Sequence, residues 1–307
     1  MHAIADDSVP DILTELAQEV RAKFGADRHV HLVLENEHNA ARYLGGGNAS
    51  LYNAQWDDDI HHALHVITTG ETDGYYSDYA QNPVWQLGRC LAEGFAFQND
   101  PSAYRDGTLR GEVSRQLSPL CFVSFLQNHD QIGNRPFGER ISNNATPEAI
   151  RAAMAILLLA PSPPLIFMGE EFRAQSPFLF FCDFKGELAA TVTQGRRNEF
   201  KRFAKFSDPD VRSQIPDPNA ESTFAASRLN WEEINQSEHD CWLHLYRKLL
   251  THRHKLIIPI LSRIVAGAAA FRIFDESGLA VQWKLDSGRT LNLKAILGNL
   301  DSQLEIT

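Results

Sequence analysis

The sequence predicts an α/β chain in which helices alternate with buried parallel-type strands, followed by a short antiparallel β segment. Three observations predict it. The stretch Cys121 to Arg135 (CFVSFLQNHDQIGNR) begins as an apolar run, Phe122, Val123, Phe125 and Leu126, too short for a helix. It then flips within three residues to Asn128, His129, Asp130, Gln131 and Asn134, with Gly133 permitting a tight turn. A second run, His29 to Glu35 (HVHLVLE), also ends in a carboxylate and continues into Asn36, Glu37, His38 and Asn39. Beyond about Pro259 the apolar period changes to two. A strand ending in an acid among hydrogen-bonding side chains is how an α/β barrel builds an active site. Two such strands point to paired-carboxylate chemistry on a glycosidic bond. Taken alone, Asn128-His129-Asp130 reads equally well as a helix cap beside a loop histidine.

The elements follow in order. Ser8 reads as an N-cap, with Pro10 in the first turn and Asp11 three residues on. Leu13, Leu16, Ala17, Val20 and Phe24 recur at helical spacing, and Gly25 supplies the stop. The strand ending at Glu35 is next. A helix feeding directly into a buried parallel strand normally has a strand before it, so a preceding part of the fold is expected. After the turn Gly45-Gly46-Gly47, Leu51 to Trp56 is a third strand-like run, followed by Asp57, Asp58, Asp59, His61 and His62. Consecutive acids fan out around a helix rather than converge on a metal, and Asp is favoured at a helix N-terminus, so a helix continuing through Leu64, Val66 and Ile67 is expected. One or two of these polar residues are candidates for substrate contact.

Gly70 to Pro119 has no clean period and carries Tyr75, Tyr76, Tyr79, Trp85, Phe95, Phe97 and Tyr104. These aromatics suit sugar stacking and plain loop packing alike. Arg110 and Arg115 lie just ahead of the central strand and are within reach of its end. Thr146 and Pro147 open a helix that stops at Pro161. Pro164 to Met168 is a buried strand followed by Gly169-Glu170-Glu171, and Ser237 to Lys255 is an amphipathic helix with Trp242, Leu245, Tyr246 and Leu249 on one face. Finally Leu279, Val281, Trp283 and Leu285 alternate with polar neighbours, as do Leu291, Leu293, Ala295 and Leu297, around a turn at Asp286-Ser287-Gly288.

The 307 residues suffice for a large core, and 43% hydrophobic with 22% charged residues fits a globular enzyme. A net charge of −10 argues against nucleic acid or an anionic membrane as partner and is compatible with a neutral sugar. Cys90, Cys121, Cys182 and Cys241 are scattered without a C-x-x-C pair, which reads as reduced thiols in a cytoplasmic protein. The first residues lack a signal peptide's apolar core. The most apolar stretch, Ala152 to Met168, is broken by Pro161, Pro163 and Pro164 and does not span a membrane. No ligand cluster calls for a metal or other cofactor.

With these residues in hand, the chain resembles the C-terminal part of the malto-oligosyltrehalose trehalohydrolase family, within the α-amylase superfamily of glycoside hydrolases. The resemblance rests on FLQNHDQIGNR at Phe125 to Arg135, HLVLENEHNA at His31 to Ala40, YNAQWDDDIHHALHVITTGE at Tyr52 to Glu71, LAEGFAFQ at Leu91 to Gln98, and PLIFMGEEF with SPFLFFCDF between Pro164 and Phe184. It implies the C-terminal half of a (β/α)8 TIM barrel over residues 1–258, holding strands five to eight, followed by a small antiparallel β domain over 259–307. It implies hydrolysis, with retention, of the α-1,4 bond next to the trehalose end of malto-oligosyltrehalose. Glu35 then matches the general acid/base and Asp130 the transition-state stabiliser. His129 matches that acid's substrate-binding neighbour, with Gln131 and Asn134 beside it, and Asp58, Asp59, His61 and His62 fall in a substrate-contact region.

The sequence departs from the family at the nucleophile. That carboxylate belongs to a motif of the form Asp-Ala-Val-His-Ala-Ile, of which His2-Ala3-Ile4 matches only the tail. Asp6 and Asp7 belong to the helix start that follows and do not replace it. A chain of these 307 residues is therefore expected to be inactive alone, or to need a complementing chain carrying barrel strands one to four. Two other readings stay open. One is a different α-amylase-type glucan enzyme, branching or debranching. The other is a non-catalytic protein that binds carbohydrate or completes another chain's barrel.

Overall fold

The computed structural model describes residues 4–24, 28–45, 51–202, 207–275, 277–297 and 303–306. The expected stop at Gly25, the turn residues Gly46 and Gly47, and His2-Ala3 lie outside the described residues. In chain order the elements are α1 (Ile12–Phe24), β1 (Val33–Leu34), β2 (Ala54–Trp56), α2 (Asp58–Thr69), α3 (Pro83–Glu93), β3 (Asp100–Pro101), β4 (Leu109–Arg110), β5 (Phe122–Phe125), α4 (His129–Gly133) and α5 (Pro147–Leu159). They continue with β6 (Pro164–Leu165), α6 (Gly186–Glu199), α7 (Pro209–Ser213), α8 (Glu221–Ala226), α9 (Ser237–His252), β7 (Ile264–Phe274), β8 (Gly278–Leu285), β9 (Thr290–Ile296) and β10 (Gln303–Ile306). No helix among the described residues is long and apolar enough to cross a membrane.

The chain divides into two compact units. One holds Met1–Leu126, Thr146–Leu165 and Lys248–Thr307; the other holds Gln127–Ala145 and Ile166–Arg247. The division therefore does not follow the boundary near residue 259 that the change of period suggests. The C-terminal strands share the first unit with the parallel sheet.

In the first unit β1, β2, β5 and β6 form a parallel sheet in that spatial order. Its ladders are shorter than the apolar runs predict, two to four residues per strand. An edge strand pairs on one side only, and both outer strands here are edges of the described sheet. Register pairs Leu34 with Gln55 and Gln55 with Phe122, so these buried side chains share one face. Continuing the register by one residue brings Glu35 level with Trp56, and Trp56 is paired with Val123, on the other, more open face. Helix α1 begins later than Ser8 suggests: Asp11 accepts from the Thr14 amide at 2.8 Å and is the cap. A carboxylate placed next to the first turn wins over a hydroxyl three residues upstream. Thr146 caps α5 as expected, accepting from the Ala149 amide, with Pro147 in the first turn.

The antiparallel sheet runs β7-β8-β9-β10. Leu279, Val281, Trp283 and Leu285 are all buried, as alternation requires, and Gly288 turns the β8–β9 hairpin with φ +79°. One face packs on α3, where the Trp283 indole donates to the Leu91 carbonyl at 3.0 Å. Gly88 makes that approach close. A Cβ there would lie 2.4 Å from Phe271 Cδ2 and 2.8 Å from Leu279 Cδ1. Phe271 is itself held edge-on against Trp85. Alanine at Gly88 would gain about 1 kcal/mol of helix propensity, but overpacking of this kind costs roughly 1–3 kcal/mol. Gly88→Ala is thus expected to lower stability in urea unfolding; an unchanged or raised midpoint would show that the sheet yields at no cost.

In the second unit Phe200 and Ile215 form a small core with Phe137 and Val211 against it. Buried Arg196 donates to the Gly133 and Arg135 carbonyls at 2.6 and 2.8 Å, which satisfies the C-terminal end of α4. Trp242 and Tyr246 are buried residues of α9 in this unit.

Candidate active site

Glu35 leaves the end of β1 between Leu34 and Asn36, both buried, and its own side chain is exposed. That alternation is the strand period carried one residue past the ladder. What holds the loop behind it is a buried ion pair. Arg110, from β4, places Nη2 2.7 Å from Asp59 Oδ1, and the two are 6% and 0% exposed at their side chains. The same guanidinium donates from Nε to the Glu37 carbonyl at 3.0 Å and from Nη1 to the Tyr79 hydroxyl at 2.9 Å.

Asp59 is saturated. Oδ1 also accepts from the Tyr79 hydroxyl at 2.5 Å; Oδ2 accepts from Asn39 Nδ2 at 2.9 Å and from the amides of Ala96 and Phe97 at 2.8 and 3.1 Å. Asn39 stands at φ +52°, a conformation its side-chain bond to Asp59 helps to hold. Burial works against the Arg110 charge, yet Asp59 and then Tyr79 more than offset it and its pKa rises. Burial pushes the Tyr79 hydroxyl up as well.

The three consecutive acids thus divide by helix geometry. Asp57 is the N-cap of α2, accepting from the Ile60 amide at 3.4 Å, and is fully buried. Burial first, then Asp59, raises its pKa well above the carboxylate range. Asp58 is half-buried at the first turn of α2, and Asp59 turns inward to Arg110.

The histidines divide the same way. His61 is buried, with Nδ1 2.6 Å from the Leu126 carbonyl and Nε2 3.1 Å from the Tyr76 hydroxyl. A carbonyl only accepts, so Nδ1 carries the proton and Nε2 accepts from Tyr76. Burial, then His65, lowers its pKa to about 3 against the pull of the Leu126 bond. The imidazole stacks on Phe125, so His61 ties the end of β5 to α2. Half-buried His62 lies 3.3 Å by Nδ1 from the Tyr79 hydroxyl. Tyr79 gives its single proton to Asp59, so His62 Nδ1–H is the donor in that contact. Burial, then His61, lowers the His62 pKa well below the usual range.

In the second unit the polar cluster after β5 folds into α4. The Asn128 side chain accepts from the Asp130 and Gln131 amides at 2.8 and 3.4 Å, and Gln131 Oε1 accepts from the Asn128 amide at 3.0 Å: a capping box. His129 and Asp130 are exposed on this turn, and Asn134 Nδ2 donates to Asp130 Oδ1 at 2.8 Å. The cap reading and the site reading of Asn128 to Asp130 are therefore compatible: the asparagine caps and the aspartate is left presented.

Glu35, Asp58, Asp59, His61 and His62 thus belong to the first unit, and His129, Asp130, Gln131 and Asn134 to the second. Within the first unit the structure joins Asp59 and His62 through Tyr79; within the second it joins Asp130, Gln131 and Asn134 through the α4 cap. The sequence marks Tyr79 only as one of several aromatics suited to sugar stacking or loop packing, and places Arg110 only within reach of the β5 end. Arg110 is separated from Asp59 by 51 positions, and its one visible signal was its place just ahead of β5.

Exposed acids after two strands of a parallel sheet, with an antiparallel sheet following in the chain, make this an α/β protein, and its fold resembles that of α-amylase family enzymes. The chain superposes on a crystal structure of a Salmonella typhimurium protein described as a candidate α-amylase with a TM-score of 0.87 and 42% identity, covering 95% of this chain and 49% of that one. A ligand-free cyclic α-maltosyl-(1→6)-maltose hydrolase from Arthrobacter globiformis, at 13% identity and a TM-score of 0.52, shares the fold over 96% of this chain and 53% of that one. No family model matches the chain.

Its curated relatives are malto-oligosyltrehalose trehalohydrolases. That of Deinococcus radiodurans is 42% identical over 255 residues, 82% of this chain and 40% of the relative. That of Rhizobium sp. is 35% identical over 292 residues, 92% and 47% of the two chains. The chain is similar to malto-oligosyltrehalose trehalohydrolases over most of its own length and spans less than half the length of these two relatives.

Proposed function

We propose that this chain supplies Glu35 as general acid/base and Asp130 as transition-state stabiliser to a retaining (β/α)8 trehalohydrolase. The reaction is hydrolysis of the α-1,4-glucosidic bond next to the terminal trehalose of malto-oligosyltrehalose. The observation that carries this reading is that two parallel-strand ends, those of β1 and β5, each present an exposed carboxylate backed by a buried hydrogen-bonded frame. The likeness to enzymes named for this reaction supports the choice of substrate.

In this reading Glu35 protonates the leaving glycosidic oxygen and then takes a proton from the attacking water. Asp130, anionic and oriented by Asn134, complements the positive charge of the oxocarbenium-like transition state. The nucleophilic carboxylate, needed about 5–5.5 Å from the acid, is supplied by a barrel segment outside these residues. Asp58, His62, His129, Gln131 and Asn134 are proposed to meet sugar hydroxyls. Asp59 and His61, predicted to touch substrate, are buried with their polar atoms already bonded, and their proposed role is to hold the frame. No cofactor enters the scheme.

Product analysis tests it. Residues 1–307 by themselves are expected to release no trehalose from malto-oligosyltrehalose. Mixed with a polypeptide carrying the nucleophile and barrel strands one to four, they are expected to release free trehalose and a shorter malto-oligosaccharide with the α-anomer first formed. Branched glucan or linear maltodextrin without trehalose would assign a different α-amylase-type reaction. Trehalose from 1–307 alone would place the nucleophile within this chain.

A further inference from the structure

Glu170 takes no part in the chemistry above, yet it is a carboxylate only 9% exposed. It follows β6, and two side chains from distant parts of the second unit point at it. The Tyr246 hydroxyl, on α9, donates to Oε1 at 2.7 Å, and Gln127 Nε2 donates to Oε2 at 3.1 Å. The other end of the Gln127 amide is also committed: Oε1 accepts from the Ile141 amide at 3.1 Å. Gln127 cannot flip its amide without losing that bond, so it faces Glu170 as a donor. Gln127 directly precedes Asn128, whose side chain caps the turn that bears Asp130. One chain of hydrogen bonds therefore runs from Tyr246 through Glu170 to Gln127, the residue before the Asp130 turn.

We propose that Glu170 is a positioning residue that sets the placement of Asp130 through Gln127, gripping when ionised and slackening when protonated. The proposal rests on the reading of Asp130 as a stabilising carboxylate. Its logic is one of donors and acceptors. An ionised carboxylate only accepts, which matches two donors aimed at it, and bonds to a charged acceptor are the stronger kind. A protonated Glu170 becomes a donor at one oxygen, so Tyr246 must turn its hydroxyl to accept and Gln127 is left with a neutral partner.

The groups facing Glu170 allow the switch to work near neutrality. Burial pushes its pKa up to about 7, against the Tyr246 and Gln127 bonds and the Arg140 charge, with the Glu171 charge adding to the rise. Arg140 is buried; it donates to the Ser176 and Met168 carbonyls at 2.7 and 2.9 Å, while Nη2 has no hydrogen-bond partner among the described residues. Glu171 and Glu233 act on that arginine too.

Hydrogen exchange of residues 127–135, read by mass spectrometry on the 307-residue chain from pH 5.5 to 8.5 and corrected for intrinsic rates, tests this whether or not the chain hydrolyses anything. Failure of the clamp and failure of the hydrolytic reading are thereby told apart. Wild-type protection of the segment is expected to rise through about pH 7. Glu170→Gln reproduces the protonated acid, donating to Tyr246 and accepting from Gln127, and is expected to hold the segment at the wild type's low-pH protection at every pH. Tyr246→Phe, which keeps the ring packing, is expected to speed exchange of the segment about fivefold to tenfold at pH 8. A wild-type profile flat in pH, a Glu170→Gln profile that still titrates near 7, or an unmoved segment in Tyr246→Phe would each overturn the proposal. In an assembled enzyme, kcat rather than KM should follow the same titration and lose it in Glu170→Gln.

Discussion

Arg110→Met is expected to cost the first unit about 3–5 kcal/mol of stability, the range found when one partner of a buried ion pair is removed. Asp59 has no exposed surface, and its remaining donors, from Asn39, Tyr79, Ala96 and Phe97, leave a charge without a counter-charge. The loop behind Glu35 also loses the bond from Arg110 Nε to the Glu37 carbonyl. Replacing both partners, Arg110→Met with Asp59→Asn, removes the stranded charge, and most of the loss should return. Urea unfolding of the two single variants and the double variant measures this. Purely additive losses, or a single-variant loss below about 1 kcal/mol, would mean that the pair does not act as a buried unit.

His61 should make the first unit acid-labile. Its pKa falls from 6.5 to about 3 on folding because burial, and then His65, disfavour the charged ring. A histidine held neutral stabilises fully above its unfolded pKa, and that contribution is lost as pH falls from about 6.5 toward 3. The slope is one proton, about 1.4 kcal/mol per pH unit, so the whole window amounts to on the order of 4–5 kcal/mol. His62 is shifted in the same direction, whereas Asp57 is shifted upward and pulls the other way. The pH curve of the wild type alone therefore does not isolate His61. The comparison with His61→Asn does, since asparagine keeps an N–H for the Leu126 carbonyl and does not titrate. Between pH 6.5 and 5 the wild type should lose roughly 2 kcal/mol more than the variant in urea unfolding. Parallel pH curves would show that the ring protonates in the folded state without penalty.

Much of the frame was legible because it depends on local chemistry. Thr146-Pro147 announces a helix start, and the alternation of Leu279, Val281, Trp283 and Leu285 announces a strand with one buried face. That Glu35 and Asp130 are exposed close after buried strands could be anticipated because each follows an apolar run within a few residues. What stayed hidden depends on long-range partners. Asp57, Asp58 and Asp59 look alike in sequence, and only the 100° step of a helix and an arginine 51 residues downstream separate cap, surface and ion pair. Glu170 and Glu171 are likewise adjacent and identical in type. Only the fold shows that Glu170 receives Tyr246 and Gln127. The Ser8 cap gave way to Asp11 for a local reason that propensity ranks too closely to decide. The unit boundary was hidden because the second unit is built from two separate stretches of chain.

The most direct measurement is the rate of trehalose release from malto-oligosyltrehalose by residues 1–307 combined with the polypeptide that bears the nucleophile, wild type against Glu35→Gln. Loss of a general acid lowers kcat by roughly 10²–10⁴, and since the amide keeps the shape of the acid, KM should stay within a few-fold. That split is the predicted result. A Glu35→Gln protein that releases trehalose at the wild-type rate would contradict the assignment of Glu35 and, with it, the reading of this chain as the acid-bearing part of a trehalohydrolase.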